Sequence, residues 1–336
     1  MRGQSTRTIG VVGLGNWGTA LAHCLSQRHG SVIAWTKDPA VRDMLRTTRC
    51  NSMYQIVEPL HDGMTIVDRL EDMKAADVVI LAIPSRYFAE VASSLSSLSP
   101  SVVLVSASKG LDPATCRTPL QVLEQSLPAH HRRVVISGPS FSADVLRGLP
   151  AAMVAGATNQ DDARLVAELF VGTPLRVYTS DDPLGVELGG ILKNVIAIAA
   201  GVSDGLGLGD SSRAAVITRG LAEMRPFCAA AGAKAETLFG LSGLGDLIMT
   251  ATSSLSRNRT VGFRLGQGET LTAIIESLGS VAEGVQTIER VLELASRYHL
   301  SMPITEQMQL IISGKTTPSE ALQNLLRRPS RAEFGG

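Results

Sequence analysis

Along the first half of the chain, short apolar runs alternate with segments whose apolar residues recur every three or four positions. The runs Thr8–Val12, Ser31–Trp35, Met64–Val67, Asp77–Ile83, Val102–Ser106, Arg133–Ser137, Ala151–Val154 and Arg176–Tyr178 have the length and the Val/Ile content of buried strands. Between them, Trp17, Leu21 and Leu25, or Phe88, Val91 and Leu95, trace helical faces. Strands alternating with helices predict a mostly parallel sheet covered on both faces. The pattern changes at Asp181-Asp182-Pro183. From there to Leu326 only helical periods occur, as at Ile288, Val291, Leu292 and Ala295, or Met308, Ile311 and Ile312. The expected fold class is α/β plus all-α, with a sheet domain over residues 1–182 and an all-helical domain over residues 183–336.

A length of 336 residues suits two domains, and 44% apolar with 18% charged residues excludes a disordered chain. Lys and Arg number 31 and Asp and Glu 31, so no overall field draws nucleic acid or an anionic membrane. An anionic ligand must be held by locally placed groups. The longest apolar run, Val195–Val202, falls short of the roughly 20 residues of a membrane span. Gly13, Gly15 and Asn16 interrupt the N-terminal run Ile9–Val12 before it can form a signal-peptide core. The four cysteines are scattered with no CxxC and no histidine at metal spacing, so no metal is expected and the chain reads as cytoplasmic.

Gly13-Leu14-Gly15-Asn16-Trp17-Gly18 is a G-x-G-x-x-G placed after the first strand and opening a helix. In that context Gly13 permits the tight turn, Gly15 lets a diphosphate approach the backbone, and Gly18 lets helix and strand pack closely. The motif predicts a Rossmann-like, doubly wound dinucleotide domain. An NAD site usually carries an acid at the end of the second strand; here the chain reads Trp35-Thr36-Lys37-Asp38. Lys37 is placed to meet a 2′-phosphate, which tilts the cofactor from NADH toward NADPH; the alternative is a plain exposed loop lysine. Asp38-Pro39 has the form of a helix cap and first turn.

Ligands of open parallel sheets sit beyond the carboxyl ends of the strands. Ser108-Lys109-Gly110 and Gly138-Pro139-Ser140-Phe141-Ser142 fall there, as either site residues or simple turns. Leu188–Gly201 is almost wholly apolar or small, yet carries Lys193 beside Asn194. Burying an ammonium is costly and moves its pKa toward values useful in proton transfer, unless the stem snorkels to water. Leu241-Ser-Gly-Leu-Gly-Asp246 ends in a carboxylate expected to cap a helix starting at Leu247. Ser256-Arg257-Asn258-Arg259 offers guanidinium groups suited to phosphate, or an ordinary helix start. No histidine falls in such a cluster, so the general acid/base is expected to be a lysine.

These residues, from about Thr8 to Glu333, resemble the bacterial NAD(P)-dependent glycerol-3-phosphate dehydrogenases. Gly190-Ile-Leu-Lys193-Asn194-Val-Ile-Ala-Ile-Ala-Ala-Gly201 matches that family's most diagnostic stretch. Gly13–Gly18, Lys109-Gly110, Gly138-Pro139-Ser140-Phe141, Thr218–Met224, Gly243–Asp246, Ser256-Arg-Asn258 and Val281-Ala-Glu-Gly284 match its other motifs. The resemblance implies reduction of dihydroxyacetone phosphate for phospholipid synthesis, with Lys193 as proton donor and acceptor. It implies that Lys109, Gly138, Ser140, Lys193, Asp246, Ser256, Arg257 and Asn258 hold the substrate. Gly13, Gly15, Asn16, Trp17, Gly18, Lys37, Lys109, Ser142, Arg257, Val281 and Glu283 would hold the dinucleotide. Expected partners are the small-molecule substrate and a second copy of the chain in a homodimer, with no nucleic acid and no membrane insertion. Ser211 and Arg213 stand where the family usually has Asn and Lys, and Asn51–Gly63 lacks its Leu-Pro-Gly run; these departures touch active-site packing and a surface loop. The rivals are a 3-hydroxy-acid or ketopantoate reductase, which would need a carboxylate site, and a non-catalytic dinucleotide sensor, which would not need Lys193.

Overall fold

A computed structural model describes residues 7–128, 131–278, 282–330 and 332–333. All eight expected strands form: β1 Ile9–Val12, β2 Val32–Trp35, β3 Met64–Ile66, β4 Val78–Leu81, β5 Val103–Ser106, β6 Arg132–Ser137, β7 Ala151–Gly156 and β8 Leu175–Ser180. They make one sheet in the order β3-β2-β1-β4-β5-β6-β7-β8. Every pairing is parallel except β6 with β7. The order reverses beside β1, the switch point where open α/β sheets bind ligands. Val12 is in register with both Trp35 and Leu81, so the residues after β1, β2 and β4 share one edge. Alternate strand residues feed different apolar clusters. Ile9, Val11, Val78 and Ile80 belong to one, and Val12, Val79 and Leu81 to the other. That alternation is why both faces need a helical cover.

Local chemistry sets several boundaries. Asp38 caps the helix Pro39–Thr48 by accepting from Ala40 N and Val41 N, as its Asp-Pro sequence suggested. Thr118, Pro119 and Gln121 start the helix Pro119–Ser126 with a capping box. Gly30, at φ 77°, ends the helix Asn16–His29 in the left-handed region.

The chain divides into two compact units. The first is Met1–Gly190 with Gly232–Asp246, and the second is Ile191–Ala231 with Leu247–Gly336. The expected division at 182/183 thus moves into the helix Pro183–Gly205, and a later segment returns to the first unit. Asp182 explains the return. Its carboxylate accepts from Gly185 N at 3.0 Å, Lys234 N at 2.9 Å and Thr237 Oγ1 at 2.6 Å, joining the helix start to that segment.

In the second unit the helix Arg257–Gly266 lies backbone to backbone on the Ile191–Gly205 part of the long helix. A Cβ on Gly201 would fall 2.1 Å from the Arg259 carbonyl, and one on Gly262 would fall 1.9 Å from that of Ile198. No side chain fits at either position. The long helix also corrects the reading of residues 195–202: at 23 residues it is long and apolar enough to cross a membrane, though glycines interrupt its sequence. Its most apolar window is wholly buried against protein, as a core helix is.

Candidate active site

The glycine-rich turn separates its three glycines by physical cause. Gly13 has φ 94°, and a Cβ there would lie 2.6 Å from the Ala82 carbonyl; one on Gly18 would lie 1.8 Å from that of Gly13. The fold itself therefore requires both. At Gly15 a Cβ would meet only ordinary contacts, the nearest being Tyr54 Cε1 at 3.7 Å, so packing does not demand that glycine. The helix that follows has no side-chain cap bond and no acid in its first turn. Open N–H groups beside a bare backbone fit the diphosphate of a dinucleotide. Asn16 is exposed at the helix start, and Trp17 packs partly on the core. Lys37 is exposed and pairs with Glu90 at 2.7 Å.

In the first unit, Lys109 follows β5 and its stem runs past Gly190, whose Cβ position is 3.6 Å from Lys109 Cδ. Its ammonium donates to Asp246 Oδ2 at 2.6 Å and to the Gly138 carbonyl at 3.1 Å. Asp246 is 0% exposed. It is itself the first residue of the helix Asp246–Thr252, one position before the start expected at Leu247. The π-turn Leu241–Gly245 has already wound the backbone, so Asp246 stands at φ −70° and ψ −31° as a helical residue, with its carboxylate turned to Lys109. Ser140 Oγ donates to the Gly138 carbonyl at 3.2 Å, and a Cβ on Gly138 would lie 2.7 Å from the Ala152 carbonyl. Ser142, half-buried, opens the short helix Ser142–Leu146.

In the second unit, Lys193 is 5% exposed and donates to Thr250 Oγ1 at 2.6 Å. The snorkelling alternative is excluded, since the ammonium is buried along with its stem. Asn258 donates from Nδ2 to Asn194 Oδ1 at 2.9 Å and accepts from Gly284 N at 3.1 Å, so this amide joins three helical segments. Ser256 caps its helix by accepting from Arg259 N. The two guanidinium groups of that sequence part company: Arg259 binds Asp204 through Nε at 2.8 Å, while Arg257 is exposed at the helix start. Arg213 joins the same carboxylate at 2.9 Å, so the departure at this position builds an ion-pair network. Glu283 is half-buried at the start of the helix Glu283–Arg297, and Val281 lies outside the described residues.

Sequence reading missed Thr250, although it stands one helical turn after Asp246, the spacing that puts two side chains on one face. It also missed two buried carboxyls. Glu187 accepts from Leu120 N at 2.8 Å, and Glu223 accepts from Ile304 N at 2.6 Å. Burial raises each from the usual range to about 7, against the lowering effect of those hydrogen bonds. Nor is Asn51–Gly63 merely a surface loop, because Asn51, Ile56 and Leu60 are buried.

Comparison with known proteins places this geometry in a lineage. Residues 8–163 match the N-terminal family model of NAD-dependent glycerol-3-phosphate dehydrogenase, and residues 182–323 match the C-terminal one. The glycerol-3-phosphate dehydrogenase (NAD(P)+) of Geobacter metallireducens is 44% identical, with 97% of this chain and 99% of that protein covered. The enzyme of the same name from Nitratidesulfovibrio vulgaris is also 44% identical, with 97% and 99% covered. The crystal structure of glycerol-3-phosphate dehydrogenase from Coxiella burnetii superposes with a TM-score of 0.91 at 34% identity, covering 96% of this chain and 99% of that one. A ketopantoate reductase from Ralstonia eutropha shares only the fold, with a TM-score of 0.60 at 14% identity over 94% of this chain and 99% of that one. On this kinship the chain belongs to the NAD-dependent glycerol-3-phosphate dehydrogenase family.

Proposed function

We propose that the protein reduces dihydroxyacetone phosphate to sn-glycerol 3-phosphate with NADPH or NADH, feeding glycerophospholipid synthesis. The observation that carries the mechanism is the Lys193 ammonium, 5% exposed and held 2.6 Å from Thr250 Oγ1. When bound, the reduced nicotinamide supplies the hydride that reaches the carbonyl carbon. Negative charge then grows on the carbonyl oxygen, and Lys193 both stabilises it and transfers a proton to it. The amine left behind regains its proton from solvent, and in the reverse direction it acts as the base. Low polarity around the helix strengthens the ammonium's field, and Thr250 fixes its direction.

Lys109, held by Asp246 and the Gly138 carbonyl, polarises the substrate and touches the cofactor. Gly138, Ser140, Asp246, Ser256 and Asn258 complete the substrate contacts. Arg257 binds the substrate phosphate by the fork geometry that suits it and also lies near the dinucleotide. The dinucleotide is held by Gly13, Gly15, Asn16, Trp17, Gly18, Lys37, Ser142, Val281 and Glu283, with NADPH slightly favoured through Lys37. The protein works in the cytoplasm as a homodimer, a state that light scattering on the purified protein reads directly.

NADPH and NADH oxidation with dihydroxyacetone phosphate, beside pyruvate and ketopantoate controls, tests the reaction. Lys193→Met should lower turnover by about a hundredfold or more while dinucleotide affinity holds. Lys193→Arg should not restore it, because a guanidinium hardly releases its proton. Near-normal turnover in Lys193→Met would overturn the assignment.

A further inference from the structure

The chain between the helix Pro39–Thr48 and β3 forms a closed turn fastened to the glycine-rich turn. Asn51 is fully buried, and its Nδ2 donates to the Leu14 carbonyl and to Thr19 Oγ1, both at 2.9 Å. Asn51 N donates to the Ile56 carbonyl at 2.8 Å, and Ile56 N donates back at 3.1 Å. Ile56 is itself seated in the core. Residues 52–55 are thus a tip that cannot drift from Leu14 without breaking buried hydrogen bonds.

Tyr54 stands on that tip at 39% exposure. Its Cε1, Cζ and hydroxyl oxygen are the three nearest heavy atoms to the Cβ position of Gly15, at 3.7, 3.8 and 4.0 Å. The space left by the missing side chain of Gly15 therefore has the open helix start on one side and a phenol on the other. An anion over Gly15 meets the helix N–H groups and, beside them, a hydroxyl that can donate.

We propose that Tyr54 is a cofactor-positioning residue, whose phenol covers the glycine-rich turn and donates to the diphosphate of the bound dinucleotide. The inference rests on the reading that the dinucleotide lies on Gly13–Gly18. A neutral donor adds no preference for the 2′-phosphate. Tyr54 thus acts alike on NADH and NADPH, whereas Lys37 separates them.

The test titrates the parent protein, Tyr54→Phe and Tyr54→Ala with NADH, NADPH, ADP-ribose and AMP, reading Kd by calorimetry without turnover. Tyr54→Phe should weaken the three diphosphate ligands by one common factor of about ten, the effect of a lost hydrogen bond to a charged group. AMP, with a single phosphate, should bind as it does to the parent. Unchanged ADP-ribose affinity in both variants would overturn the proposal. Equal weakening of AMP would overturn it too, since the contact would then be with the adenosine. Gly15→Val checks the underlying reading separately: if it binds ADP-ribose normally, the dinucleotide lies elsewhere and that reading fails whatever Tyr54 does.

Discussion

Replacing Lys109 by methionine removes an ammonium from a carboxylate that has no access to water. Asp246 has 0% of its side chain exposed and pairs at 2.6 Å, whereas Lys109 keeps 19%. Breaking a buried pair from one side costs about 3–5 kcal/mol, against at most about 1 kcal/mol for an exposed pair. The difference in exposure also sets a direction. Lys109→Met takes the ammonium from a carboxylate that cannot rehydrate. Asp246→Asn leaves an ammonium that reaches solvent and keeps the Gly138 carbonyl. We expect Lys109→Met to lower the unfolding free energy by about 3–4 kcal/mol and Asp246→Asn by about 1–2 kcal/mol. Both residues lie in the first unit, as do both tryptophans, Trp17 and Trp35. Urea unfolding followed by tryptophan fluorescence therefore reads this unit. Methionine keeps most of the lysine stem, so lost packing contributes little to the difference. Losses below about 1 kcal/mol in both variants, or the reverse order, would refute the reasoning.

Lys37→Glu should raise KM for NADPH and leave that for NADH nearly unchanged; its pair with Glu90 is more than half exposed on both sides, so the thermal midpoint should hold. An unchanged ratio of the two efficiencies would remove Lys37 from the 2′-phosphate. Arg257→Ala should raise KM for dihydroxyacetone phosphate about tenfold or more and leave the poor substrate dihydroxyacetone unaffected; equal loss on both would point to the cofactor instead. Glu223 keeps its proton up to about pH 7 in the folded state but only to about 4.5 when unfolded. The folded state thus binds more protons across that window, and its stability should fall as pH rises from about 4.5 to about 7, by up to about 3 kcal/mol. Glu187 titrates in the same window, so Glu223→Gln should remove about half of the slope in denaturation curves, and an unchanged slope would show that Glu223 does not contribute to it.

The sheet was legible because its strands are buried on both faces and so appear as apolar runs, all eight of which form. The glycine-rich turn was legible because the left-handed backbone of Gly13 and the contact of Gly18 with the Gly13 carbonyl are set within a few residues. Lys193 stood out as a charge inside an apolar helix, and its burial follows from that company. Capping at Asp38 was equally local, one side chain bonding the amides two and three residues on. The partner of Asp246 was not legible. A carboxylate after glycines reads as a cap, but Lys109 lies 137 residues away in sequence, and a π-turn had turned the backbone before it. Arg257 and Arg259 are the same residue two positions apart. Asp204, on another helix, captures one and leaves the other exposed. Local sequence thus determined the strands, caps and tight turns, because their energies depend on near neighbours. Which charges pair, which amides bind helices together and where the long helix passes from one unit to the next were decided by tertiary packing, because those energies depend on groups that only the folded chain brings within reach.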